Sequence, residues 1–231
     1  TSPHLVDLEE RFVVNGRPIT RDILSREAQQ LQTTIQRLQG TTELNQAPTF
    51  FEATTAIAFS LFRQTGAKVG VLEVGMGGRF DATNVVAAPA VVVTSVDVDH
   101  ERFLGSTLPE IAFEKAGVIK PGTIVVTGET KPPVVNVLRQ VCKERKARLV
   151  EALDQVKTRT TIRDGQTELE LVTPVRRYQP VKMSLRGRHQ VRNAVVAVRL
   201  LEELGNIGLP VTATAILDSL VETRWPGRLD L

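Results

Sequence analysis

One cysteine, one tryptophan and one tyrosine occur among the 231 residues, and aromatic residues make up only 4% of the chain. The lone thiol, Cys142, can close no internal disulfide and build no cysteine-based zinc site, which fits a reducing cytoplasmic compartment. So few aromatics leave little material for base-stacking platforms. The Lys and Arg residues are scattered, so nucleic-acid binding is not expected despite a pI near 9.2. No apolar run approaches the ~18–20 residues that span a bilayer. The opening TSPHLVDLEE lacks the basic and apolar regions of a signal peptide, so neither membrane insertion nor secretion is expected. Charge of neither sign dominates: 29 basic against 26 acidic residues leave a net +3, which suits small anionic ligands. What is present, 42% hydrophobic and 24% charged residues, suffices for a packed core in one large domain, or one domain with a small appendage.

Residues 21–39 are polar and helix-compatible, and a second helix, apolar on most sides, is expected from Phe50 to Gln64. KVGVLEV at 68–74, an apolar run followed by Gly75, Gly77 and Gly78, reads as a buried strand. AVVVTSV at 90–96, TIVVTGE at 123–129 and ARLVEA at 147–152 read as three more, with helices near 109–117 and 132–146 between them. Strands alternating with helices predict an α/β fold built on a parallel sheet, with ligands beyond the carboxyl ends of its strands. At 156–173 the pattern becomes two-residue alternation around Asp164-Gly165, a β-hairpin serving as an edge or flap. Helices follow at 189–204 and 211–222, and Pro226-Gly227 marks a linker.

Glu73, at the end of a predicted buried strand, would be costly unless paired or bound to a metal, which makes it a site candidate beside the alternative of a rim carboxylate. The next strand runs into Asp97, Asp99 and His100, where a solvated turn competes with ligation; imidazole in such a place is a frequent ligand or acid–base group. A dinucleotide fingerprint would require glycine where Phe80 stands. Lys115 taken alone reads as a solvated lysine, and His189, Gln190 and Asn193 as decoration of a helix.

In order along the chain, TSPHL (1–5), FFEATTAIAF (50–59), LEVGMGGRFDATN (72–84), TSVDVDH (94–100), EKAGVIKPG (114–122), LRGRHQVRNA (185–194) and RWPGRL (224–229) resemble the folylpolyglutamate and dihydrofolate synthases of the Mur ligase superfamily. The resemblance implies a P-loop-type central ATPase domain, α/β with a mostly parallel sheet flanked by helices and a small antiparallel hairpin region. It implies a cytoplasmic, monomeric, ATP- and magnesium-dependent ligase that joins L-glutamate to folate or dihydropteroate through an acyl phosphate. Ser2, Glu73 and His100 are similar to magnesium ligands, and Lys115 to a carbamylated catalytic lysine acting alongside His100. Asn193 resembles an adenine contact and Arg228 a phosphate contact, while Phe51, Asp81 and Ala82 resemble pterin-pocket residues. A phosphate-cradling G-x-x-G-K-[ST] loop is expected before TSPHL and occurs nowhere in the sequence. Residues 1–223 are therefore expected to be a central ATP-binding domain without its first strand and phosphate loop, inactive alone, and 224–231 the start of a linker to a carboxyl-terminal domain. Alternative readings are a Mur-type ligase acting on peptidoglycan precursors and a catalytically dead module that keeps a pterin or metal site.

Overall fold

The computed structural model describes residues 4–41, 43–99 and 101–225. The chain divides into two compact units, residues 1–86 and 87–231.

In the first unit, β1 (Val13–Val14) and β2 (Arg17–Pro18) form a minimal antiparallel hairpin. Its turn places Asn15 at φ 50° and Gly16 at φ 78°, the left-handed conformations that Asn-Gly supplies at least cost. Helix α1 (Arg21–Gly40) starts where the Thr20 hydroxyl accepts the Ile23 N–H, and α2 (Phe50–Gln64) starts at a reciprocal Thr49–Glu52 capping box. Phe12, Ile19, Ile57 and Leu61 form the small core between these elements. Glu27, buried in α1, is tied to α2 because Ser60 Oγ and Gln64 Nε2 each donate to its Oε2 at 2.9 Å. A buried carboxylate needs such partners.

The predicted strand at 68–74 does not form. These residues join no ladder, and Val69 and Val71 are 61% and 89% exposed. An apolar run becomes a buried strand only where neighbours take up its N–H and C=O groups, and among the described residues no strand pairs with it. Beyond it, Asp81 opens a short 3-10 helix, Ala82–Val85.

In the second unit, β3 (Ala90–Val93), β4 (Ile124–Thr127) and β5 (Arg148–Glu151) form a parallel sheet in that order, with Ala90 opposite Ile124 and Ile124 opposite Arg148. The crossovers carry α3 (Glu101–Leu104) and α4 (Leu108–Ala116), then α5 (Pro132–Glu144). Alternation along the central strand sends Val125 toward Ile111, Val134 and Leu138 of α4 and α5. Ile124 and Val126 face the other way, toward Val196 of α6 (Arg188–Leu204). Coverage of both faces explains why β4 reads as an unbroken apolar run.

A second, antiparallel sheet pairs β6 (Lys157–Arg163), β7 (Gln166–Val172) and β8 (Val181–Met183), with Asp164 at φ 48° and Gly165 at φ 72° in the β6–β7 turn. Rather than a free flap it is a packed layer: Leu169 and Leu171 lie in one cluster with Val195 and Val198 of α6 and Ile216 of α7 (Ala213–Glu222). A buried polar network ties it further to α6. Thr173 Oγ1 and Tyr178 Oη donate to Glu202 Oε1 at 2.6 and 2.9 Å, and Arg199 pairs with Glu202 and Glu203. Burial first, and the hydrogen bond to Glu202 second, push the Tyr178 hydroxyl far above its ordinary pKa.

Candidate functional site

The first unit holds an open cleft with aromatic side chains from Phe12 and from Phe51, Phe59 and Phe62 of α2, walled also by Leu72, Glu73 and Thr83. Helical spacing puts Phe51, Phe59 and Phe62 on one face of α2. The Phe51 ring lies directly on the glycine-rich loop: a Cβ at Gly75 would stand 2.7 Å from its Cζ, so the close approach requires glycine. Asp81 shapes that loop. Its Oδ2 accepts the N–H groups of Gly75 and Met76 at 2.9 and 3.1 Å, and its Oδ1 accepts the Thr83 N–H at 2.9 Å and the Thr83 hydroxyl at 2.5 Å. A carboxylate offers about four acceptor positions; here its own loop engages them. Ala82 follows in the first turn of the short helix. Phe51, Asp81 and Ala82 thus lie in one unit, and of the three only Phe51 lines the cleft. Glu73 lines the same cleft but is exposed, not the buried strand-end carboxylate expected, because the strand that would have buried it is absent.

In the second unit, the carboxyl edge of the parallel sheet gathers charged groups of which only Asp97 is singled out from sequence. Glu129, only 4% exposed, accepts the N–H groups of Val96 at 2.8 Å, Thr130 at 2.8 Å and Lys131 at 3.1 Å. Burial works to raise the Glu129 carboxyl pKa, but those three N–H groups and the Lys131 charge outweigh it and hold the carboxyl below its usual range. Lys131 Nζ donates to the Val96 carbonyl at 2.7 Å and pairs with Asp97. From α6, Arg192 Nε donates to the Gly128 carbonyl at 3.0 Å. The TGETK string carries no periodic signal for this convergence, since its partners outside the string, Val96 and Arg192 among them, lie 33 or more residues away. Lys115 is half-buried in the last turn of α4, and Asn193 is exposed on α6, its Nδ2 donating to Gln190 Oε1 at 3.1 Å. Ser2, His100 and Arg228 lie outside the described residues. Among the described residues no three His, Cys, Asp or Glu side chains form a metal-binding group, and no helix is long and apolar enough to cross a membrane.

Residues 18–201 match the Mur ligase middle domain. The chain belongs to that family. Within it, the chain is 36% identical over 236 residues to the dihydrofolate synthase/folylpolyglutamate synthase of Bacillus subtilis, covering 100% of this chain and 54% of that protein. To the Mycobacterium tuberculosis protein of the same description it is 34% identical over 244 residues, covering 100% of this chain and 50% of the other. The apo form of L. casei FPGS superposes with a TM-score of 0.94 at 29% identity, covering 100% of this chain and 56% of that one. An FPGS-AMPPCP-folate complex gives 0.93 at 29% identity, covering 99% and 56%. The chain therefore spans about half the length of the curated relatives it matches. The resemblance drawn from LEVGMGGRFDATN and its companion motifs, and the α/β class with a parallel sheet flanked by helices, are both borne out.

Proposed function

We propose that this Mur ligase middle domain is the central part of an ATP-dependent ligase joining L-glutamate to a folate or dihydropteroate carboxylate. The observation that carries the reading is the aromatic cleft built on the LEVGMGGRFDATN loop, in a chain whose relatives bear the names folylpolyglutamate and dihydrofolate synthase. Phe51 offers a face on which a pterin ring stacks, and Leu72, Glu73 and Thr83, at the two ends of the loop that Asp81 holds, form the neighbouring wall. In the reaction the substrate carboxylate oxygen attacks the γ-phosphorus of ATP and ADP leaves. The glutamate amine, having lost a proton, then attacks the acyl-phosphate carbonyl carbon, and phosphate departs with the cleaved C–O bond.

Asn193 on α6 serves the adenine and Arg228 the phosphates of ATP. Lys115 acts as a carbamate and His100 as a polar catalytic group. Glu73, Ser2 and His100 are on this reading the magnesium ligands, and the exposed carboxylate of Glu73 offers the hard oxygen this ion prefers. When bound, the ion would offset charge on the transferring phosphate. Residues 1–223 belong to the ATP-binding domain, in a monomeric cytoplasmic protein.

The test is glutamate-dependent ADP release by the full-length protein with dihydropteroate, folate and a UDP-sugar peptide offered in parallel. Turnover with a pterin substrate is the expected result. Turnover with only the UDP-sugar peptide would move the protein to the peptidoglycan branch, and pterin binding without turnover would make it a binding module.

A further inference from the structure

We propose that Thr83 is a positioning residue for the aromatic cleft, acting through Asp81 and the Gly75–Met76 backbone on the Phe51 ring. The proposal rests on the reading of that cleft as a pterin pocket. Thr83 is 8% exposed and lines the cleft together with Phe51. Its hydroxyl donates to Asp81 Oδ1 at 2.5 Å and its N–H to the same oxygen at 2.9 Å, while Oδ2 takes the N–H groups of Gly75 and Met76 at 2.9 and 3.1 Å. The last torsion of an aspartate side chain has a broad, roughly two-fold profile, so the plane of this carboxylate is set by its donors rather than by its own rotamer. Hydroxyl-to-carboxylate bonds of this length are charge-assisted and among the stronger ones.

The far end of the chain of contacts has no slack. With a Gly75 Cβ only 2.7 Å from the Phe51 ring, backbone and ring are already in contact, and a shift of Gly75 moves the surface against which the ring leans. Thr83→Val keeps the volume of the side chain and leaves the backbone N–H of residue 83 donating to the Asp81 carboxylate that caps the short helix, but it removes the hydroxyl donor. The Asp81 carboxylate then keeps only its three backbone N–H donors and loses its shortest hydrogen bond, so Gly75, and the Phe51 ring leaning on it, are held less firmly.

The experiment measures pteroate and ATP binding by calorimetry on the full-length protein and on Thr83→Val and Thr83→Ser, with melting temperatures alongside. Loss of a hydrogen bond to a charged group predicts pteroate binding about tenfold weaker for Thr83→Val with ATP binding held within about twofold, and recovery of pteroate binding in Thr83→Ser. In parallel, a Phe51→Trp reporter in a Trp225→Phe background should change its emission maximum when Thr83→Val is added and not when Thr83→Ser is added, independently of any ligand. If wild-type protein binds no pteroate, the pterin reading falls, and the reporter alone decides the positioning role. Unchanged emission and unchanged pteroate affinity in Thr83→Val overturn the proposal. So does an equal loss of both ligands in the valine and serine variants, accompanied by lower melting temperatures.

Discussion

Glu129 keeps a charge at a nearly solvent-free position because its oxygens are filled by the N–H groups of Val96, Thr130 and Lys131. Its folded pKa lies below the ordinary value, so its contribution to stability is complete above the unfolded carboxylate pKa of about 4.3 and is lost as pH falls through the folded value. Glu129→Gln should therefore lower the urea midpoint at pH 7 and flatten the decline in stability below about pH 4.3; parallel pH curves for variant and wild type would contradict this. At Asp81, replacement by alanine removes charged acceptors from Gly75, Met76 and Thr83. Pterin affinity of the full-length protein should drop about 10- to 150-fold, with ATP affinity less affected. Equal weakening of both would give Asp81 a general structural role. For Lys115, the carbamate reading predicts that Lys115→Ala is inactive and partly rescued by acetate or formate, because a small carboxylate restores the missing oxygens. Full activity without a supplement would remove the residue from the mechanism. None of the three residue environments follows from local pattern. Asp81 lies within a few residues of its donors, but its geometry depends on a loop that no period describes.

Among the elements, the contrast between β4 and residues 68–74 is the most instructive. Both are short apolar runs ending in glycine, and only β4 is bonded on both sides and covered on both faces. Periodicity reports a preference for pairing, and pairing itself is a property of neighbours. The helices were legible because their hydrogen bonds are internal and their caps local: α2 runs from Phe50 to Gln64 as its pattern predicts. So was the hairpin, whose turn residues Asp164 and Gly165 supply the positive φ angles it requires. The edge of β4 carries a sharper demand. A Cβ at Gly128 would stand 2.7 Å from both the Thr94 carbonyl oxygen and Val196 Cγ2, atoms of the β3 exit and of α6. Gly128→Ala should destabilise the protein by about 1–3 kcal/mol in chemical denaturation, whereas Gly122→Ala, with open space around its Cβ, would be strained only through its φ of 76°.

At the scale of the whole molecule, the second unit contains the larger core, with α4 and α5 on one face of the parallel sheet and α6 on the other. Leu138, fully buried between α5 and the sheet, is its test point: Leu138→Ala should cost about 2–5 kcal/mol, read as a shift in denaturation midpoint with little change in slope. The family was written in the order of seven short motifs, together with the strands β3, β4 and β5 and the helices between them, because backbone periodicity and turn chemistry act within a few residues of one another. Only the tertiary structure decided which polar groups are satisfied and which apolar runs are covered. Glu27 finds Ser60 and Gln64, Glu129 finds Val96, and Arg192 finds Gly128 across 33 to 64 residues, while 68–74 finds no strand among the described residues. The physical reason is one of range: a cap or a turn is completed by its own neighbours in sequence, whereas a buried carboxylate or a strand edge is completed by donors and acceptors that folding brings in from elsewhere.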